Sequence, residues 1–95
     1  MILDEIKQKA LPILERHGAT YVAVFGSASR GDMNPESDVD LLVRLPKTID
    51  MFDRMDIVDE LNTALARNVD LVSEESLSPY FRPFIEGELC VIYER

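Results

Sequence analysis

Asp38 and Asp40 are separated by one residue at the head of the apolar run Leu41-Leu42-Val43, and the turn Phe25-Gly26-Ser27-Ala28-Ser29-Arg30-Gly31 precedes them. If residues 38–43 form a strand, alternation puts Asp38, Asp40 and Leu42 on one face and Val39, Leu41 and Val43 on the other. Two acids on one face repel, raise each other's pKa and call for a compensating cation. Mg2+ suits them, because it takes one or two carboxylates and leaves its other positions to water and phosphate oxygens. Two such ions about 3.5 to 4 Å apart stabilise both the attacking and the leaving oxygen of a phosphoryl displacement.

The turn supplies the complementary half. Gly26 permits close backbone approach, the Ser27 hydroxyl can bond a phosphate, and Arg30 adds a forked cationic donor. Gly-Ser-x-x-Arg-Gly alone also describes an ordinary loop, and Asp-x-Asp alone an ordinary solvated strand end. The pattern of Gly26-Ser27, ten intervening residues, then Asp38-Val39-Asp40 is far more specific than either fragment.

That joint pattern resembles the signature of the DNA polymerase beta-like nucleotidyltransferase superfamily. Within it, the short chain is most similar to the minimal nucleotidyltransferases, the antitoxin partners of HEPN-domain toxins. The resemblance covers nearly the whole chain. It implies phosphate binding by Ser27, metal ligation by Asp38 and Asp40, and a third acid on a later strand. Asp70 in Asn68-Val69-Asp70-Leu71-Val72 fits that third place. An isolated Asp within so short an apolar run is disfavoured by strand propensity and by burial. The competing reading is a strand-end acid bonded to loop backbone.

Around these residues the sequence predicts an α/β (α+β) domain over residues 1–95, a mixed sheet flanked by helices. Leu3, Ile6, Ala10, Ile13 and Leu14 recur at helical spacing across 2–17, with Pro12 inside and Gly18 as the stop. The run over 20–25 reads as a buried strand delivering Gly26 and Ser27 to its end, and 38–45 as the next strand, ended by Pro46. Asp32 and Glu36 read as solvated loop acids. A helix over 51–67 carries the stripe Met51, Met55, Val58, Leu61 and Leu65, read as core, with Thr48 or Asp50 as its cap. Beyond the strand at 68–72, residues 77–86 predict a short helix interrupted by Pro83, and 88–94 a closing strand. Arg44 shares the parity of the acids and is a charged strand end or a phosphate contact. His17 reads as a helix-end residue, and Cys90 as a small core residue. Tyr80 and Tyr93 are candidates for a partner surface.

Composition narrows the function. Ten Lys and Arg against eighteen Asp and Glu give a formal charge of -8, which opposes phosphate-backbone binding, so no direct nucleic-acid contact is expected. A basic protein partner fits better. One cysteine forms no internal disulfide, and the N-terminus lacks a basic region followed by an apolar segment. A cytoplasmic protein without membrane attachment is the expectation. The resemblance implies transfer of AMP from ATP, with Mg2+ as two ions, to a hydroxyl, a tyrosine of a partner HEPN toxin RNase, which is thereby silenced. Both catalysis and metal ligation would use Asp38, Asp40 and Asp70, the last also taking the proton of the attacking hydroxyl, with Gly26, Ser27 and Arg30 on the triphosphate. Two alternatives are an antitoxin acting by binding alone and a small-molecule nucleotidyltransferase of the aminoglycoside-modifying type.

Overall fold

Helix α1, Leu3–Arg16, buries Ile6, Ala10 and Leu14, one residue per turn, while Lys7, Gln8 and Lys9 stay in solvent. Pro12 lies on the exposed side of the helix, where solvent can satisfy a carbonyl that lacks its helical donor. The computed structural model describes residues 3–26, 38–80 and 82–95. Ser27, Arg30, Asp32, Glu36 and Phe81 lie outside the described residues, as does the predicted turn from Ser27 onward.

After Gly18, whose φ of +88 turns the chain out of the helix, β1 spans Tyr21–Phe25. Strand β2, Val39–Arg44, returns antiparallel to it. Helix α2, Met51–Leu65, then crosses over to β3, Val69–Ser73, which runs parallel to β2. A 3-10 turn at Glu74–Ser76 and the short helix α3, Arg82–Glu86, lead to β4, Cys90–Glu94, antiparallel to β1. The strand order is β3-β2-β1-β4, a mixed sheet as expected. The short final helix begins five residues later than 77 because Pro83 fits a first turn and not an interior.

Both long helices pack on one sheet face. Ile6, Ala10 and Leu14 of α1 and Ile57, Leu61 and Leu65 of α2 meet Val22, Val24, Val39, Leu41, Val43, Val69 and Leu71. Each fully buried Ile, Leu or Val contributes roughly 1.5–3 kcal/mol. An ion pair from Arg16 to Glu60, with His17 Nε2 3.3 Å from Glu60 Oε1, ties the helices at their outer edge. His17 thus serves an interhelical contact far in sequence from the acids.

The expected methionine stripe is corrected. Met51 and Met55 are 74% and 57% exposed, because the buried ridge of α2 runs through Ile57, Leu61 and Leu65, and its backward continuation falls on the partly buried Arg54. One residue of rotation, about 100° on a helix, separates that ridge from the methionines. Asp50 caps α2 as one of the two expected candidates: its Oδ1 accepts from Asp53 N at 2.8 Å, and Asp50 N donates back to Asp53 Oδ2.

Candidate active site

The sheet face turned away from α1 and α2 is arranged in rows. Phe25 pairs with Asp40, and Asp40 with Asp70; one step further along, Ala23 pairs with Leu42, and Leu42 with Val72. Paired residues share a face, so Asp40 and Asp70 project side by side from adjacent strands, whose axes lie about 4.8 Å apart. The alternation expected from sequence is realised in the burial: Val39, Leu41, Val69 and Leu71 are buried toward the helices while Asp70 is exposed. The start of this pairing is clamped by Val39 N donating to Asn68 O at 2.9 Å.

Asp40 is the most enclosed of the three acids. Loss of water raises its pKa above the usual aspartate value, and the negative charges of Asp70 and then Asp38 raise it further. Asp38, exposed, immediately precedes β2. Gly26 abuts the same carboxylate: its φ is +72, and a Cβ placed on it would overlap Asp40 Oδ2. The glycine is therefore needed twice over, for a left-handed backbone and for the space that Asp40 fills. The structure brings Gly26, Asp38, Asp40 and Asp70 to one end of the sheet.

A divalent cation suits this donor set in kind. Three mutually repelling carboxylates, one of them partly desolvated, are stabilised by positive charge, and Mg2+ needs only one or two of them as direct ligands. Among the described residues no three acidic, histidine or cysteine side chains converge on one metal position. The remaining ligands therefore have to be phosphate oxygens, water or groups beyond the described residues.

Arg44 does not point at the acids. Its Nε and Nη2 hold Glu74 Oε2 at 2.9 and 2.8 Å, and its guanidinium lies 5.4 Å from the Tyr21 ring centroid. These contacts are those of a charged strand end. Glu74 also takes Arg82 at 3.3 Å, joining α3 to β2. Burial and the nearby Glu74 raise the Tyr21 pKa above its ordinary value. Cys90 is a half-buried free thiol, and Tyr93 packs against the core, whereas Tyr80 is 87% exposed.

Two supporting residues escaped the sequence reading. Asn62 Oδ1 accepts from Val69 N at 2.7 Å, one residue before Asp70. Arg54 donates to Ser73 Oγ at 2.6 Å and to the Leu71 carbonyl, one residue after Asp70. Both side chains reach from α2 to brace the strand that carries the third acid. No local pattern announces such contacts; the only hint was a polar residue on the buried side of a helix.

A cavity of about 340 Å³ lies at the opposite end of β2 and β3, among Pro46, Asp50, Met51, Arg54 and Glu75, and none of the three acids lines it.

Carboxylates gathered from neighbouring strands beside a glycine corner at one end of the sheet are an arrangement suited to a cation and phosphate. Residues 3–92 match the nucleotidyltransferase domain family, and the chain belongs to that family and is a nucleotidyltransferase. It is 33% identical, over 93% of its length and 95% of the relative's, to a Methanocaldococcus jannaschii protein assigned as a protein adenylyltransferase. It superposes with a TM-score of 0.81 on a solved structure assigned as a minimal nucleotidyltransferase, at 34% identity and 95% coverage of each chain. A toxin-antitoxin crystal structure with AMP-PNP gives the same TM-score of 0.81 at 25% identity, covering 94% of this chain and 73% of that one. No helix among the described residues is long and apolar enough to cross a membrane.

Proposed function

We propose that this chain is a magnesium-dependent protein adenylyltransferase acting as an antitoxin: it moves AMP from ATP to a tyrosine hydroxyl of a partner HEPN toxin and silences it. The observation that carries the reading is the pairing of Asp40 with Asp70 on one sheet face, beside Gly26. The similarity to a toxin-antitoxin structure holding an ATP analogue, and to a relative assigned as a protein adenylyltransferase, supports the nucleotide and the protein acceptor.

In this reading Asp38 and Asp40 hold the cation, and Gly26, Ser27 and Arg30 hold the triphosphate. Bound Mg2+ supplies positive charge where the phosphate oxygens accumulate negative charge. Asp70 takes the proton from the acceptor hydroxyl as its oxygen bonds to the α-phosphorus. The bond from that phosphorus to the bridging oxygen breaks, and pyrophosphate leaves. Positioning and electrostatics account for most of the rate, as is usual for phosphoryl transfer. The charge of -8 favours a basic partner surface.

The test is toxin neutralisation with wild-type protein and with the Asp38→Ala, Asp40→Ala double variant, both with ATP and Mg2+. Transfer predicts that the double variant fails to neutralise and adds no 329-Da adenylyl increment, roughly the mass of AMP less water, to the toxin. Full neutralisation by that variant would establish binding alone as the mechanism.

A further inference from the structure

Beside the acid row lies a second, smaller cavity of about 260 Å³, lined by Phe25, Val72, Ser76, Leu77, Ser78 and Ile85. Its floor belongs to the same sheet face as the acids: Phe25 is the partner of Asp40, and Val72 lies two residues beyond Asp70. Two residues of strand span about 6.6 Å, comparable to the reach of a ribose from a phosphate. Its cover comes from the segment between β3 and α3, which Glu74 links to Arg44 of β2 and Arg82 of α3. Ile85, the one buried residue of α3, belongs to that cover.

We propose that this cavity receives the nucleobase of the triphosphate substrate; the inference rests on the nucleotidyltransferase reading and extends it to a subsite. The volume falls below the roughly 300–1,000 Å³ of pockets that enclose whole drug-sized ligands, so it suits one ring system, with the phosphates outside at the acids. The walls are chemically suited to a flat heteroaromatic ring. Phe25 offers an aromatic surface, Val72, Leu77 and Ile85 offer aliphatic contacts, and such stacking contributes about 1–3 kcal/mol per base. Ser76 and Ser78 add hydroxyls that donate and accept, as the mixed edge of a base requires. Ser78 Oγ already accepts from Tyr80 N at 3.2 Å, which leaves its own O–H to donate.

The experiment compares binding of ATP and of inorganic triphosphate, each with Mg2+, to wild type, Leu77→Trp and Phe25→Leu. The chain has no tryptophan, so Leu77→Trp both fills the cavity and reports on it by fluorescence. The proposal expects wild type to prefer ATP over triphosphate by at least about tenfold. It expects both variants to lose that preference while keeping wild-type triphosphate affinity. Equal affinity of wild type for the two probes would overturn it and leave the acid site intact. So would variants that bind ATP normally but need more of the protein acceptor, which would assign the cavity to the acceptor ring. Failure of wild type to bind either probe would remove the nucleotidyltransferase site itself and this subsite with it. Phe25→Leu, a smaller side chain, keeps the test valid if the tryptophan variant does not fold.

Discussion

Gly26 and Asp40 compete for one volume: the Asp40 Oδ2 atom occupies the place where a side chain on residue 26 would begin. Because residue 26 also has φ +72, Gly26→Ala carries two penalties, left-handed strain of about 1–2 kcal/mol and displacement of the carboxylate. The variant should lose about that much unfolding free energy in a urea titration and lose nucleotidyl transfer disproportionately. Gly87→Ala is the matched control, since nothing lies within 4 Å of a Cβ there and its φ is not left-handed. Its stability should stay within about 1 kcal/mol of wild type by urea titration.

Asp40→Asn should stabilise the metal-free protein at neutral pH. The native pKa of Asp40 is raised, so its ionisation is less favourable folded than unfolded, and the native state is penalised above that pKa. The penalty is absent below the unfolded aspartate value, about 3.9, and grows as pH rises through the native one. Thermal melts in EDTA should therefore show a variant advantage near pH 7 that closes toward pH 3. Added Mg2+ should raise the melting temperature of wild type and much less that of the variant. An advantage that persists unchanged at pH 3 would show that charge is not its cause.

Asn62→Ala tests the bracing of β3. Without Asn62 Oδ1, the Val69 N–H loses its 2.7 Å partner, at a cost of about 1–3 kcal/mol. Transfer should fall further than stability, because Asp70 is the next residue. Asn62→Asp retains an acceptor oxygen and should restore most of the transfer rate. If Asn62→Ala keeps full activity and stability, Asn62 does not position the acid.

Strand facing was the most legible part of the sequence. A two-residue period is short and tolerates no drift, so the parity of Asp40 and Asp70 could be read from Val39, Leu41, Val69 and Leu71 alone. The helix face was less legible, since a rotation of one residue left Met51 and Met55 exposed and placed Arg54, partly buried, in line with the core ridge. Contacts between distant segments were not legible. Nothing near Arg44 indicated Glu74, thirty positions away, and nothing near Val69 indicated Asn62 as its acceptor. The corner at Gly26 lay in between: its role as a turn was visible, its collision with Asp40 only in three dimensions.

Glu74→Gln probes the link between β2 and α3. Its partners Arg44 and Arg82 are about half exposed, so the stability loss should be small and should shrink in high salt. Hydrogen exchange of residues 82–86 should quicken in the variant, while that of α1 and α2 stays unchanged. Unaltered exchange in α3 would show that the Arg44, Glu74 and Arg82 contacts do not hold it.

The most direct test of the account is single-turnover transfer from α-labelled ATP to the partner protein by Asp70→Asn, an isosteric change on an exposed side chain. A general base contributes about 10²–10⁴-fold, so the label should reach the partner at least about 100-fold more slowly, with ATP affinity close to wild type. Transfer at the wild-type rate would contradict the convergence of Asp70 with Asp38 and Asp40 on one reacting phosphate.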